Sequence, residues 1–387
     1  MSRRKIVLAV TIDDSLQFLK GYPAHLVDQG WEVHVVSNAG PRLSLLAQQP
    51  HVHTYPLHMK REPHLVHDLR SLWRWIAVLH RIQPDAVSVG TPKAGLLGSI
   101  AALLTNVPVR VYMLRGLRLE TSRGVRRLLL LLAERMTMWC ATHVLSISPS
   151  LRARSVELGL APSAKIRVLG RGSSNGTDTA EFDSSRFTRR ELDDARSEIG
   201  LAADLPLVGY VGRLTRDKGL FVLADALEEL ASRGVRCQLI VVGGVDDKTG
   251  QDALIRLRSL PVPVAVTGHV ASPALHYALM DVLALPSYRE GFGNVVIEAS
   301  SSGIPVVVSD ATGVVDAVLR GQTGLVAGVG DPIALADNLQ TLILDPRLAE
   351  EMGENGRRWV TTHFDRQVVQ GLYASDLADL TGSLGSK

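Results

Sequence analysis

Cysteine is nearly absent from this chain: Cys140 and Cys237 are the two cysteines among its 387 residues. Two cysteines provide no disulfide framework, so the sequence predicts a protein of a reducing compartment. No apolar run reaches the roughly 20 residues of a transmembrane helix. The apolar start of the chain stops at Asp13 without a small-residue cleavage site, which favours a buried first strand over a signal peptide.

Three further absences exclude classes of site. Residues 11–16, after the first apolar run, contain no glycine, which argues against a dinucleotide dehydrogenase. No Asp-x-Asp pair stands at a strand end, and no group of His or Cys has metal-ligand spacing, so we expect no metal and no cofactor. The sequence also has no motif for nucleic-acid recognition, and we expect no nucleic-acid partner.

Positive charge is concentrated in the first half of the chain. The formal net charge is only +3, but residues 1–178 contain 23 Lys and Arg against 11 Asp and Glu, a net charge of +12. The remaining residues carry a net charge of −9. This asymmetry predicts that the first half meets an anionic partner, such as a membrane surface or a lipid diphosphate.

Short apolar runs alternate with amphipathic stretches along most of the chain. This alternation is typical of an α/β protein with parallel, doubly wound sheets. A helix is expected from Asp13 or Asp14 to about Asp28. The polar stretch after residue 170 divides the pattern into two Rossmann-like domains with a cleft between them. The expected divisions are an N-terminal domain (1–172), a linker region (173–205), a C-terminal domain (206–364) and a C-terminal helix (365–387), which can pack back on the first domain.

The stretch from Leu285 to Asp310 predicts a strand, a glycine loop, a helix and a second strand. In such a unit, the loop lies at the carboxyl end of the first strand, where parallel sheets bind ligands. Asn294 is the expected N-cap of the helix. Gly291 and Gly293 let backbone approach a ligand, and the helix start suits a phosphate. Glu290 and Glu298 suit sugar hydroxyls, although a glycine turn with two solvated glutamates is the alternative.

A second cluster follows the first strand of the C-terminal domain. Arg213 can bind two phosphate oxygens at once through its guanidinium, and Lys218 provides a mobile positive charge. Gly212 has no side chain, so it leaves room beneath these two residues. Basic residues at a helix start oppose the helix dipole, so an anionic ligand would explain their position better than solvation.

These two motifs, GRLTRDKG and EGFGNVVIE, together resemble the donor site of the retaining glycosyltransferases of family 4, which have the GT-B fold. The first half resembles the bacterial branch that extends undecaprenyl-diphosphate-linked sugars, in TPKAGLLGS, YMLRGLRLET, HVLSISPSLRARSVELGL and VLGRGSSNGTD. The resemblance implies that Arg213 and Lys218 hold the donor diphosphate, Glu298 the ribose and Glu290 the transferred sugar, with Arg213, Lys218 and Glu290 catalytic. The further donor contacts that it implies are Gly212, Gly268, His269, Val270, Gly291, Phe292, Gly293, Asn294 and Val295.

Acceptor contacts are expected after the strands of the first domain. The candidates are Asp13, Asp14, Ser15, Thr91, Lys93, Gly95 and Arg115. Helix capping is an alternative for one aspartate, and a helix-start lysine is an alternative for Lys93. Many family members carry a histidine in the stretch that here reads YMLRG, so Met113 or Arg115 takes its position. Arg115 is expected to face an acceptor diphosphate.

The stretch RRLLLLLA, from Arg126 to Ala133, has two interpretations. The favoured one is a buried helix. The other is a helix lying on an anionic membrane, with its basic residues towards the lipid head groups.

The resemblance therefore implies a retaining hexosyl or N-acetylhexosaminyl transferase, with a nucleotide-sugar donor that is expected, by resemblance alone, to be UDP-linked. In this interpretation the N-terminal domain (1–172) binds the acceptor and the C-terminal domain (206–364) binds the nucleotide sugar. The resemblance implies a polyprenyl-diphosphate-linked acceptor in the synthesis of a cell-surface polysaccharide such as a capsule. We expect a cytoplasmic protein, peripheral on the inner face of the membrane. A nucleotide-sugar epimerase and a non-catalytic sugar-nucleotide-binding protein are the alternatives.

Overall fold

The computed structural model describes residues 3–60 and 64–383. The chain forms two compact units, one of Met1–Asn175 with Gln367–Lys387 and the other of Gly176–Arg366. Each unit is an α/β domain built on a parallel sheet, as the alternation of apolar runs and amphipathic stretches predicts.

The first unit contains a seven-stranded sheet. Its strands are β1 (Arg4–Ala9), β2 (Trp31–Ser37), β3 (Val52–Pro56), β4 (Ala86–Gly90), β5 (Val109–Leu114), β6 (His143–Ser146) and β7 (Ile166–Arg167). Its helices up to residue 157 are α1 (Tyr22–Asp28), α2 (Pro41–Leu46), α3 (Leu65–Ile82), α4 (Pro92–Leu104), α5 (Gly124–Cys140) and α6 (Pro149–Glu157). The strand order is β3-β2-β1-β4-β5-β6-β7. Strand order therefore reverses between β1 and β4.

The second unit contains a six-stranded sheet of order β10-β9-β8-β11-β12-β13. Its strands are β8 (Leu207–Val211), β9 (Gln238–Val242), β10 (Val264–Gly268), β11 (Val282–Leu285), β12 (Val306–Ser309) and β13 (Gly324–Ala327). Its helices are α7 (Arg189–Glu198), α8 (Leu220–Ser232), α9 (Lys248–Arg258), α10 (Ala274–Leu279), α11 (Asn294–Ser301), α12 (Pro332–Leu344) and α13 (Pro346–His363). Here the order reverses between β8 and β11.

Continuous apolar runs explain the central strands of this second sheet. Every residue of β8, β9, β11 and β12 is buried, because helices cover both faces of a parallel sheet. Leu223, Leu227 and Leu230 of α8 are fully buried and pack with Val208, Leu239 and other core residues. The apolar face predicted for this helix is therefore its core face.

Two expectations about local structure are wrong. The single helix expected from Asp13 to Asp28 is divided into a 3₁₀ helix, Asp13–Leu19, and α1. Pro23 explains the break, because a proline fits the first turn of a new helix but not a helix interior. The segment 173–205 is not only a linker: from Gly176 it belongs to the second unit and contains α7, which starts with a capping box between Thr188 and Glu191.

The favoured interpretation of RRLLLLLA as a buried helix is also wrong. The stretch lies in α5, where Leu128, Leu129 and Leu132 are each more than half exposed. The inward side of α5 is instead formed by Glu134, Thr137, Met138 and Cys140. Among the described residues, no helix is long and apolar enough to cross a membrane.

The last helix, α14 (Arg366–Gly382), packs on the first unit. Tyr373 donates a hydrogen bond to the Ser173 carbonyl at 2.9 Å, and Asp376 pairs with Arg167 at 2.8 Å. Its buried side chains Tyr373 and Leu377 lie over the face of the sheet that carries Ile6 and Leu8. The helix therefore completes the core of the first unit.

Candidate active site

The predicted donor residues gather where strand order reverses in the second sheet. β8 and β11 are hydrogen-bonded neighbours, although two strands separate them in sequence. Their carboxyl ends therefore bring together the loops Gly212–Gly219 and Pro286–Gly293. Open parallel sheets bind their ligands at this kind of crevice.

Arg213 lies on the loop after β8 and forms an ion pair with Asp246, which follows β9. The Arg213 side chain is 65% exposed, so its guanidinium is accessible to a ligand. The backbone below it is packed closely, because a Cβ on Gly243 would lie 1.9 Å from the Gly212 carbonyl oxygen. The sequence identified Arg213 and Gly212, but it did not reveal their contacts with Asp246 and Gly243.

Lys218 and Glu290 form an ion pair, although 72 positions separate them in the chain. Their side chains are only 17% and 16% exposed. Ser287 donates a second hydrogen bond to the same Glu290 oxygen, Oε1, at 3.0 Å. The sheet thus places an ammonium, a carboxylate and a hydroxyl together in a mostly buried position.

Backbone contacts hold the two loops together around this pair. Tyr288 N–H donates to the Asp217 carbonyl at 2.9 Å, and the Arg289 guanidinium pairs with the Asp217 carboxylate at 2.7 Å. Gly219 passes so close to the second loop that a Cβ there would lie 1.9 Å from the Pro286 carbonyl oxygen. The position of Lys218 relative to Glu290 is therefore fixed by its neighbours.

The helix after the glycine loop starts one residue earlier than expected. Gly293 is the N-cap of α11, and the expected cap, Asn294, is its first helical residue and caps nothing with its side chain. The Asn294 N–H donates to the Phe292 carbonyl at 2.9 Å. Asn294 Oδ1 is buried and has no hydrogen-bond partner among the described residues. It is a free acceptor at the start of α11.

Glu298 lies within α11 and accepts a hydrogen bond from the Tyr277 hydroxyl at 2.9 Å. Tyr277 is fully buried, and burial together with the neighbouring Glu298 carboxylate raises the pKa of its phenol well above the usual value. The phenol therefore remains a donor, which fixes the direction of the Glu298 carboxylate. No motif in the sequence indicated Tyr277, since it lies on α10, outside both motifs.

The remaining donor candidates present backbone rather than side chains. Phe292 is buried, with its ring 5.2 Å from the ring of Phe364, so its side chain belongs to the core. Gly291 lies in the same loop, and Val295 is half-buried in the first turn of α11. Gly268 is the last residue of β10, and its carbonyl accepts from Gly243 N–H at 2.9 Å. His269 and Val270 follow it, and His269 is exposed.

Asp13 has a structural partner in the first unit. Its carboxylate accepts from the backbone N–H groups of Arg42 and Leu43, at 3.1 and 2.8 Å, so it caps the start of α2. Asp14 is exposed, and Ser15 is half-buried in the same 3₁₀ helix. The capping alternative thus accounts for Asp13 and leaves Asp14 available.

Thr91 joins the carboxyl ends of β1 and β4. Its hydroxyl lies 2.8 Å from the hydroxyl of Thr11 and accepts from Thr11 N–H at 2.9 Å. Lys93 forms an ion pair with Asp68 at 2.8 Å and is largely buried. Gly95 lies inside α4, where a Cβ would be 2.8 Å from the Tyr112 ring. Gly95 is therefore a packing residue in this structure.

Arg115, after β5, crosses above the end of β4. A Cβ on Gly90 would lie 2.6 Å from its Nε, and its guanidinium carbon is 5.1 Å from the centre of the Phe18 ring. Nε and Nη1 are buried without a hydrogen-bond partner among the described residues, and burial lowers the pKa of the guanidinium to about 10. Arg115 is therefore a cation with two unused donors at the edge of the first sheet.

Comparison with known proteins identifies the family. The model of the glycosyl transferases group 1 matches residues 192–359, and the model of the glycosyl transferase 4-like domain matches residues 20–172. The capsular polysaccharide biosynthesis glycosyltransferase CapM of Staphylococcus aureus is 37% identical over 370 residues, which cover 95% of each chain. The chain belongs to the glycosyltransferases. The family prediction is confirmed.

Solved glycosyltransferase structures confirm the GT-B fold. The sucrose-phosphate synthase of Thermosynechococcus elongatus matches with a TM-score of 0.83 and 24% identity, covering 99% of this chain and all of the other. Anabaena HepE in complex with UDP-glucose matches with a TM-score of 0.78 and 22% identity, covering 97% and 99% of the two chains. Within residues 3–60 and 64–383, no group of three or more His, Cys, Asp or Glu side chains is placed to hold a metal ion.

Proposed function

We propose that this glycosyltransferase moves a hexose or N-acetylhexosamine from a nucleotide sugar to a lipid-diphosphate-linked saccharide, with retention at the anomeric carbon. CapM, whose sequence aligns with nearly the whole chain, is named for capsular polysaccharide biosynthesis. The proposed pathway is therefore the synthesis of a capsule or a related surface polysaccharide. UDP is the proposed nucleotide, because HepE, which shares the fold, binds UDP-glucose.

The observation that carries this proposal is the ion pair of Lys218 and Glu290 at the reversal point of the second sheet. A lysine ammonium has three donors. Glu290 takes one of them, so Lys218 can donate to a phosphate oxygen without releasing its partner. A carboxylate beside the phosphate site repels phosphate but accepts from sugar hydroxyls, which assigns Glu290 to the sugar and Lys218 to the diphosphate.

Catalysis in this scheme depends on the charge of the leaving group. The bond between the anomeric carbon and the diphosphate oxygen breaks, and the acceptor hydroxyl oxygen bonds to the same face of that carbon. The acceptor proton passes to the departing phosphate oxygen. Negative charge grows on the nucleoside diphosphate during this step, and Lys218, Arg213 and the start of α11 stabilise it most in the transition state.

The remaining donor groups orient the nucleotide sugar. Glu298, held by Tyr277 at 2.9 Å, is the proposed acceptor for the ribose hydroxyls. The free Asn294 Oδ1 is suited to accept from a sugar hydroxyl. Because Lys218 and Arg213 supply positive charge, we propose that transfer needs no divalent ion and continues in EDTA.

In the first unit, Arg115 is the proposed contact for the acceptor diphosphate. Its two unused buried donors match phosphate oxygens, and Asp14, Ser15 and Thr91 lie on loops at the carboxyl ends of neighbouring strands, β1 and β4. A lipid-linked acceptor would place the working enzyme at the cytoplasmic face of the membrane.

The test is transfer from a panel of labelled UDP- and GDP-sugars to a bacterial lipid extract. We expect labelled lipid with at least one UDP-sugar, and its loss in Arg213→Ala. Conversion of the donor sugar without a lipid product would identify an epimerase. Binding of UDP without turnover of any donor would identify a non-catalytic binder, and absence of UDP or GDP binding would refute the proposed donor site.

A further inference from the structure

Helix α5 displays an apolar stripe to the outside of the first unit. Six large apolar side chains, separated by one to four residues, have exposed fractions between 47% and 74%: Val125, Leu128, Leu129, Leu132, Met136 and Trp139. At about 100° of rotation per residue, these positions fall on one side of the helix. Monomeric soluble proteins rarely expose a continuous apolar surface of this kind, which marks an interaction site.

Arginines border this α5 stripe, which we define as the six residues just given. Arg118, Arg123, Arg126, Arg127 and Arg135 are all exposed. By helical spacing, Arg126 and Arg135 lie on opposite sides of the stripe, whereas Arg127 lies on the far side of the helix in its first turn. Arg135 also donates a hydrogen bond to the Gly159 carbonyl at 3.0 Å. The two carboxylates of this segment are engaged elsewhere: Glu134 accepts from the Tyr112 hydroxyl at 2.9 Å, and Glu120 pairs with Arg154 at 3.5 Å. The surface around the stripe is therefore positive.

We propose that the α5 stripe inserts into the head-group layer of an anionic phospholipid bilayer, with the bordering arginines on the lipid phosphates. An apolar stripe bordered by Arg is the composition of helices that lie in the membrane interface. Charge decides against a second copy of this chain, because a symmetric contact would place the stripe against itself and its arginines near one another.

The position of the α5 stripe relates membrane docking to the proposed acceptor site. α5 connects the carboxyl end of β5 to the amino end of β6, so its first turns start at the sheet edge that carries Arg115. A bilayer under α5 would present lipid-linked diphosphates at the edge where Arg115 has unused donors. This inference rests on the proposed function for the acceptor lipid, but the docking itself does not require it.

Vesicle co-sedimentation without donor or acceptor tests the docking. Wild type is expected to bind vesicles of phosphatidylcholine mixed with phosphatidylglycerol, to bind pure phosphatidylcholine weakly, and to dissociate as salt is added. Leu128→Glu with Leu132→Glu, and separately Arg126→Glu with Arg135→Glu, should each weaken binding by about tenfold or more.

Matched double variants on the second unit serve as controls. Ile255→Glu with Leu344→Glu replaces two exposed apolar side chains, and Arg189→Glu with Arg190→Glu reverses two exposed arginines. Both controls should bind vesicles as wild type does. Circular dichroism melting establishes that each variant is folded, and any unfolded α5 variant is replaced by the single change Trp139→Glu.

Two results would overturn the inference. One is unchanged vesicle binding by folded α5 variants. The other is a wild-type dimer in sedimentation velocity that Leu128→Glu with Leu132→Glu dissolves while vesicle binding persists. UDP titration without vesicles separates this inference from the proposed function, because loss of UDP binding with intact docking would refute the donor site alone.

Discussion

Replacing Gly219 by alanine tests whether the two donor loops position Lys218. Gly219 has a φ of +72°, where an alanine costs about 1–2 kcal/mol. Its new Cβ would also lie 1.9 Å from the Pro286 carbonyl oxygen, which is backbone and must move by more than 1 Å. Overpacking of this kind costs about 1–3 kcal/mol. Gly219→Ala should therefore destabilise the second unit by about 2–5 kcal/mol.

Gly234→Ala is the matched control, since Gly234 follows the other end of α8. Its φ is +76°, but nothing lies within 4 Å of a Cβ there, so only the backbone cost of about 1–2 kcal/mol remains. Urea unfolding gives the two stabilities, and hydrogen exchange by mass spectrometry should show lost protection in both donor loops of Gly219→Ala alone. Equal destabilisation of the two variants, with unchanged exchange and kcat/KM, would show that the loops are not coupled.

Three further predictions concern single side chains. Lys218→Ala should lower kcat/KM by about 10- to 150-fold, the equivalent of about 1.5–3 kcal/mol for a charged hydrogen bond. The control is Arg236→Ala, which should leave kcat/KM unchanged, because Arg236 is 77% exposed and lies just before β9, at the opposite edge of the sheet. Equal kcat/KM values for both variants would remove Lys218 from the mechanism. Burial raises the pKa of Glu134 to about 7 from its ordinary 4.5, so the folded state retains a proton that the unfolded chain releases, and stability should fall by up to about 3 kcal/mol between pH 4.5 and 7. Denaturant titrations of Glu134→Gln should lose this slope, and a variant with the wild-type slope would contradict the assignment. Tyr277→Phe should weaken UDP binding in calorimetry by about 5- to 30-fold, because it removes the donor that orients Glu298, and unchanged affinity would mean that the phenol serves packing alone.

The local geometry of the proposed donor site was predictable because its signals are local. The apolar run of β11, the glycine loop and the start of α11 lie within one short stretch, and the restart of the pattern at β8 places Arg213 and Lys218 at a strand end. The general rule that ligands bind at the carboxyl ends of parallel strands then brings the two motifs together. The side-chain partners Asp246 and Tyr277 were not predictable, because they come from β9 and α10 through tertiary packing.

Helix α5 shows the opposite case. The hydrophobicity of RRLLLLLA favours burial, and local sequence carries no information on whether another element covers a given helix face. Tertiary packing determines which side of α5 is buried: Thr137 and Met138 lie on the inward side, and Leu128, Leu129 and Leu132 are exposed. Likewise, Asp13 and Lys93 read as acceptor contacts from their strand ends, whereas their partners in the fold are the start of α2 and Asp68.

The contribution of α14 to the first unit has a consequence for how the chain is made. Residues 1–175 leave the ribosome long before residues 367–382 of α14. The face of their sheet that carries Ile6 and Leu8 therefore remains uncovered during most of translation. The second unit is continuous from Gly176 to Arg366, so its synthesis is complete before that of the first unit. We therefore expect the second unit to fold before the first unit does. Nascent chains stalled before residue 367 should therefore be bound by chaperones through their amino-terminal half.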